Sequence, residues 1–101
     1  MYKHVVFWKI KEEVKGIKKP DLIKAVVEKL VALPNSIPEI QTYEVAENIG
    51  DYSASFYDIC LISVFESKDT FWNYTKYPKH DELVAYIQSV QEAEQIVDFE
   101  F

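Results

Sequence analysis

Glycine is almost missing from this chain: Gly16 and Gly50 are the only two. That excludes the glycine-rich loops that wrap phosphate groups. Together with only four prolines it also excludes a collagen-like or linker-rich chain. A single cysteine, Cys60, rules out an intrachain disulfide. It stands in an apolar run, where a buried and inert thiol is expected. No stretch approaches the roughly 20 apolar residues of a membrane-spanning helix, so no membrane partner is expected. The opening Met1–Ile10 is broken by Lys3, His4 and Lys9 and does not read as a signal peptide. The expected setting is cytoplasmic. Positive charge is short as well, with 11 basic against 17 acidic residues and a net charge of −6. The densest lysine cluster, Lys9–Lys19, is interleaved with Glu12 and Glu13. Phosphate-backbone binding needs a basic face, so nucleic acid is excluded as a partner.

What the chain does have is apolar and aromatic mass, 49% and 15% of its residues. That composition argues against disorder. Residues 1–101 are expected to form one domain with one modest core. Tyr2–Ile10 is rich in β-branched and aromatic residues and predicts a first strand. Lys11–Lys19 is a charged connection with Gly16 as its breaker. Pro20 and Asp21 then start a helix, in which Leu22, Ile23, Val26, Val27, Leu30 and Leu33 recur at helical spacing. Pro38–Asn48 predicts a second strand, Ile49–Ser55 a turn, and Phe56–Glu66 a third strand. Ser67 predicts the N-cap of a short helix through Thr75. Pro78 breaks that helix, and another begins near Lys79 or His80. Gln95–Phe101 predicts the last strand.

The order is that of an α+β, ferredoxin-like βαββαβ chain with a four-stranded antiparallel sheet and helices on one face. Its strands are nevertheless apolar on both faces. His4, Val6, Trp8 and Ile10 share one parity, while Val5 and Phe7 take the other. Antiparallel sheets with one wet face alternate apolar and polar residues instead. A bare second face would expose more apolar area than a monomer tolerates. The expectation is a homodimer that packs sheet to sheet, as an α/β barrel.

The two histidines are the chemically informative residues. His4 lies in the first strand, and His80 follows Tyr74-Thr75-Lys76-Tyr77-Pro78-Lys79. If His4 faces the helices and His80 opens a helix over the same layer, the two imidazoles share a pocket. A position near the positive end of a helix favours neutral imidazole, the form that accepts a proton. Tyr74 would then donate a hydrogen bond to a carbonyl or enolate oxygen. The candidate catalytic residues are therefore His80, Tyr74 and His4. Val6, Trp8, Tyr77 and Leu61 are the candidate ligand-lining residues. The same residues also suit plain packing, with the histidines satisfied in the core and Tyr-x-x-Tyr-Pro closing a helix end. Two histidines do not make a zinc site without further ligands, and no metal or cofactor is expected.

Several segments together resemble the stress-responsive dimeric α/β-barrel (Dabb) family, over nearly the whole length. They are Lys3-His4-Val5-Val6, Ile37-Pro38-x-Ile40, Asp58, Phe65-Glu66-Ser67, Tyr74-x-x-Tyr77-Pro78-x-His80 and Val97-Asp98-Phe99-Glu100. The resemblance implies a ferredoxin-like subunit paired sheet to sheet. It also implies, from a plant member that closes a linear polyketide to olivetolic acid by an aldol reaction, a base at His80, an oxygen-stabilising phenol at Tyr74 and a pocket histidine at His4. Two positions depart from the family pattern: Tyr77 stands where histidine usually precedes the proline, and Ala46 replaces a glycine two residues before Asn48. The expected function is a pocket for a small hydrophobic carbonyl or phenolic ligand, with cofactor-free proton transfer of the enolisation or aldol type. The alternatives are a non-catalytic stress-response or ligand-binding dimer and a cofactor-independent monooxygenase-like barrel.

Overall fold

A computed structural model describes residues 1–101. Strand β1 (Tyr2–Ile10) runs into a two-stranded hairpin, β2 (Glu13–Val14) and β3 (Ile17–Lys18), and then into helix α1 (Lys19–Ala32). A 3-10 turn over Leu33–Ser36 leads to β4 (Thr42–Glu47). Strand β5 (Ile59–Phe65), helices α2 (Lys68–Thr75) and α3 (Pro78–Val90), and strand β6 (Gln91–Glu100) complete the chain. The main sheet is ordered β4-β5-β1-β6, and every neighbouring pair is antiparallel. This is the ferredoxin-like α+β arrangement that the alternation of strand and helix signals implied.

Register fixes which residues share a face. Val6 pairs with Leu61 on one side and Ile96 on the other, while His4 pairs with Ser63 and Asp98. Successive side chains alternate across the sheet. Tyr2, His4, Val6, Trp8, Ile10, Ile59, Leu61 and Phe65 therefore face the helices. Except for His4, these residues form one core with Leu22, Val26 and Leu30 of α1, Phe71 and Tyr74 of α2, and Leu83, Ile87 and Val90 of α3. The opposite face carries Val5, Phe7, Cys60, Ile62, Val97 and Phe99, and no helix covers it. Phe7, Val97 and Phe99 remain 36–57% exposed.

The third strand spans Ile59–Phe65 rather than Phe56–Glu66, and the last helix begins at Pro78 itself; three further boundaries differ from the sequence expectation, each for a local reason. The charged connection after β1 is a hairpin, because Lys15 and Gly16 both take positive φ, +50° and +83°. That is the geometry of a two-residue hairpin turn. The second strand begins at Thr42 rather than Pro38. Proline has no N–H for the ladder, and Ile37 N and Ile40 N bond back to Pro34 O and Ile37 O as turns. The last strand begins at Gln91 rather than Gln95. Its polar opening is held by pairing with β1 through a register shift between Lys9 and Ile10, and by the Lys9–Glu92 ion pair at 3.5 Å.

Phe65 has no accessible surface and packs against Phe71 and Tyr74 at ring-centroid separations of 5.4 and 4.9 Å. Phe65→Ala should cost about 3–5 kcal/mol of stability, measured by denaturant unfolding. A loss below about 1 kcal/mol would contradict this packing.

Candidate functional site

Each functional side chain is placed by a local rule. His4 is held by strand alternation. Its Nδ1 lies 2.6 Å from Oδ1 of Asp98, its cross-strand partner on β6. The other oxygen of Asp98 accepts a hydrogen bond from the Tyr2 hydroxyl at 2.8 Å. A carboxylate only accepts, so the short contact puts a His4 proton on Nδ1. The ring packs on Phe71, with centroids 4.8 Å apart.

Helix α2 starts where Ser67 Oγ accepts from Thr70 N at 3.2 Å. That start aims Phe71 and Tyr74, three residues apart, at the sheet. The chain then turns, and the Tyr77 carbonyl accepts from the backbone N–H groups of His80 (3.0 Å) and Asp81 (3.2 Å) to open α3, with Pro78 in its first turn. This turn lays the His80 ring against Tyr74, edge to face, with centroids 4.6 Å apart. His80 Nδ1 is buried and has no hydrogen-bond partner. Its nearest acidic neighbour is Asp81 Oδ1 at 3.8 Å, beyond hydrogen-bonding reach.

Burial is the main influence on both side chains. It lowers the pKa of His80 below its usual 6.5, against the smaller opposing pull of Asp81, and the neighbouring His4 lowers it further. Burial raises the Tyr74 phenol to about 12. It also raises Tyr43 on β4, with Tyr74 adding to the shift. The Tyr43 hydroxyl is buried and unpartnered. At neutral pH the site thus holds an uncharged His80 and protonated phenols.

A cavity of about 200 Å³ opens between β1, β5 and β6 of the sheet and helices α1, α2 and α3. His4, Val6, Trp8, Leu61, Tyr74 and His80 all line it, so six of the seven residues singled out in the sequence converge here. Tyr77 does not. Its hydroxyl donates to Glu39 Oε1 at 2.8 Å, away from the cavity. Trp8 forms a wall rather than a plug, because its Nε1 donates to Glu94 Oε2 at 3.0 Å. Asp98, Tyr2, Tyr43 and Glu94 escaped the sequence reading. Their parity was legible, but the strand register that sets Asp98 opposite His4 was not. Larger hollows lie elsewhere, about 290 Å³ beside Lys29 and Tyr86 and about 520 Å³ beside Phe7 and Phe56. Neither is lined by a histidine. No group of three histidine, cysteine or carboxylate side chains is arranged to hold a metal ion, and no helix is long and apolar enough to cross a membrane.

The family model described as the Stress responsive A/B Barrel Domain matches residues 2–101, and the chain belongs to that family. Among solved structures, a dimeric protein of unknown function and ferredoxin-like fold from Bacteroides fragilis is 28% identical. It superposes with a TM-score of 0.84 over 99% of this chain and 95% of its own. A hydroxynitrile lyase from Passiflora edulis is 19% identical, with a TM-score of 0.82 over 97% of this chain and 90% of the other. An antibiotic biosynthesis monooxygenase is 16% identical, with a TM-score of 0.75 over 100% and 98%. The last two share the fold alone. No curated protein matches the chain by sequence.

The depressed pKa of His80 has a thermodynamic consequence. Between its folded value and the unfolded value near 6.5 the unfolded chain binds the extra proton, so stability falls as pH drops through that window and is fully present above it. Unfolding free energies measured at pH 7.5 and pH 5 should therefore differ more for the natural chain than for His80→Gln. Equal pH dependence in both proteins would contradict a buried neutral imidazole.

Proposed function

We propose that residues 1–101 act as one domain in a homodimer, and that each subunit's cavity takes a small hydrophobic carbonyl or phenolic compound for cofactor-free proton transfer. The observation that carries this reading is the uncharged, buried His80 in ring contact with the protonated Tyr74 at the edge of a largely apolar cavity. At about 200 Å³ the cavity is below the usual 300–1,000 Å³ of ligand pockets, which restricts the ligand to a small one.

In this scheme the neutral imidazole of His80 takes the proton from the carbon beside the carbonyl. The C–H electron pair moves into an enolate, whose oxygen is stabilised by the Tyr74 hydroxyl as it gains charge. Return of the proton from His80 to the enolate oxygen completes enolisation; in the aldol branch the enolate attacks a second carbonyl and the alkoxide that forms takes the proton back from His80. His4, oriented by Asp98, presents a second imidazole on the sheet side of the cavity. A lyase built on the same fold and the family membership support a carbonyl-directed site. The dimeric Bacteroides relative and the uncovered apolar sheet face support the homodimer. A non-catalytic ligand-binding dimer is the second reading, favoured by the engagement of His4 between Asp98 and Phe71.

Exchange of the α-protons of acetophenone in deuterated buffer, followed by NMR, separates the two readings without knowledge of the natural substrate. The natural protein should accelerate exchange with a rate that rises with pH through a pKa below 6.5 and is level at neutrality. His80→Ala should lose about 10²–10⁴-fold of that acceleration, and Tyr74→Phe should also lose most of it. Exchange no faster than in buffer, or exchange in both variants as fast as in the natural protein, would leave only the binding reading.

A further inference from the structure

The electrostatic setting of the cavity is one-sided. Its only lining side chain with a fixed charge is Glu94, whose carboxylate is turned to Trp8 Nε1. Two more carboxylates stand directly behind the imidazoles: Asp98 on His4 at 2.6 Å and Asp81 beside His80 at 3.8 Å. No lysine lines the cavity, and the whole chain contains no arginine. Lys79, one residue before His80, is turned to Glu82 at 3.5 Å and belongs to the separate hollow beside Lys29 and Tyr86. The remaining polar groups, Thr75 and Gln88, are neutral.

Sites built for carboxylate or phosphate groups carry arginine, lysine or a cluster of backbone N–H donors. This cavity carries none of the side chains and adds acidic groups around its rim. An anion entering it would leave water for apolar walls and meet like charge, with no cation to offset either cost. From this juxtaposition we infer that the cavity selects uncharged carbonyl or phenolic compounds and rejects carboxylates and phosphate-bearing ones, with Glu94 as a specificity-determining residue. This inference rests on the cavity reading above and adds the charge class of its ligand.

The probe pair is 4-nitroacetophenone and 4-acetylbenzoate, nearly equal in shape and different in charge. Binding to the full-length natural protein is measured by calorimetry at low and at high salt. The neutral ketone should bind at least about tenfold more tightly at low salt, the order expected for like charges a few ångströms apart at a protein surface. The gap should narrow as salt screens the carboxylates, and it should narrow in Glu94→Gln, which keeps an acceptor for the Trp8 N–H. Equal affinities, or tighter binding of 4-acetylbenzoate, would overturn the charge inference while leaving the cavity reading in place. Failure of both ketones to bind at millimolar concentration would overturn the cavity reading and this inference together.

Discussion

One layer of helices covers a sheet that is apolar on both faces. From that constraint the rest of the molecule follows. Strand alternation sends Val6, Trp8, Ile59, Leu61 and Phe65 to the helical side, where they form the core. The same alternation sends Val5, Phe7, Ile62, Val97 and Phe99 to the side that no helix reaches. Apolar area left in water costs roughly 25 cal/mol per Å², so a face of this kind is stable only when another surface covers it. The self-complementary solution is a twofold pairing of identical faces. With the outer face proposed to pair with a second copy, the interior between sheet and helices holds the candidate site.

The interior sets the chemistry through burial more than through charge pairs. Polar rings enclosed by Phe65, Phe71 and their neighbours are held in uncharged forms, because desolvation penalises the ionised state. His80 remains a proton acceptor at neutral pH for that reason, and Tyr74 remains a proton donor. His4 differs, since Asp98 on the neighbouring strand, itself held by the Tyr2 hydroxyl, engages its ring and fixes it. The site thus combines one rigidly oriented imidazole with one that is buried and free at its inner nitrogen.

Much of this was legible in the residues. The alternation of β1 placed His4 with Val6 and Trp8. The punctuation by Ser67 and Pro78 placed Tyr74 and His80 on successive helices that meet. What was not legible depended on register or on side-chain direction. Asp98 reads in sequence as one acidic residue among several near the end, and only its pairing opposite His4 gives it a role. Tyr77 shares the motif with Tyr74 and His80, yet its hydroxyl is drawn to Glu39 on a loop over thirty residues away in sequence. The hairpin at Lys15-Gly16 was hidden because lysine rarely adopts positive φ, and only the glycine signalled a turn.

Closure of the uncovered sheet face by a second copy is tested most directly by sedimentation of the natural protein at micromolar concentration. A single species of twice the 11.8 kDa chain mass is the predicted result, and Phe7→Glu should convert it to a monomer. A natural chain that sediments at 11.8 kDa across that concentration range would contradict the claim that this apolar face is closed by a second copy.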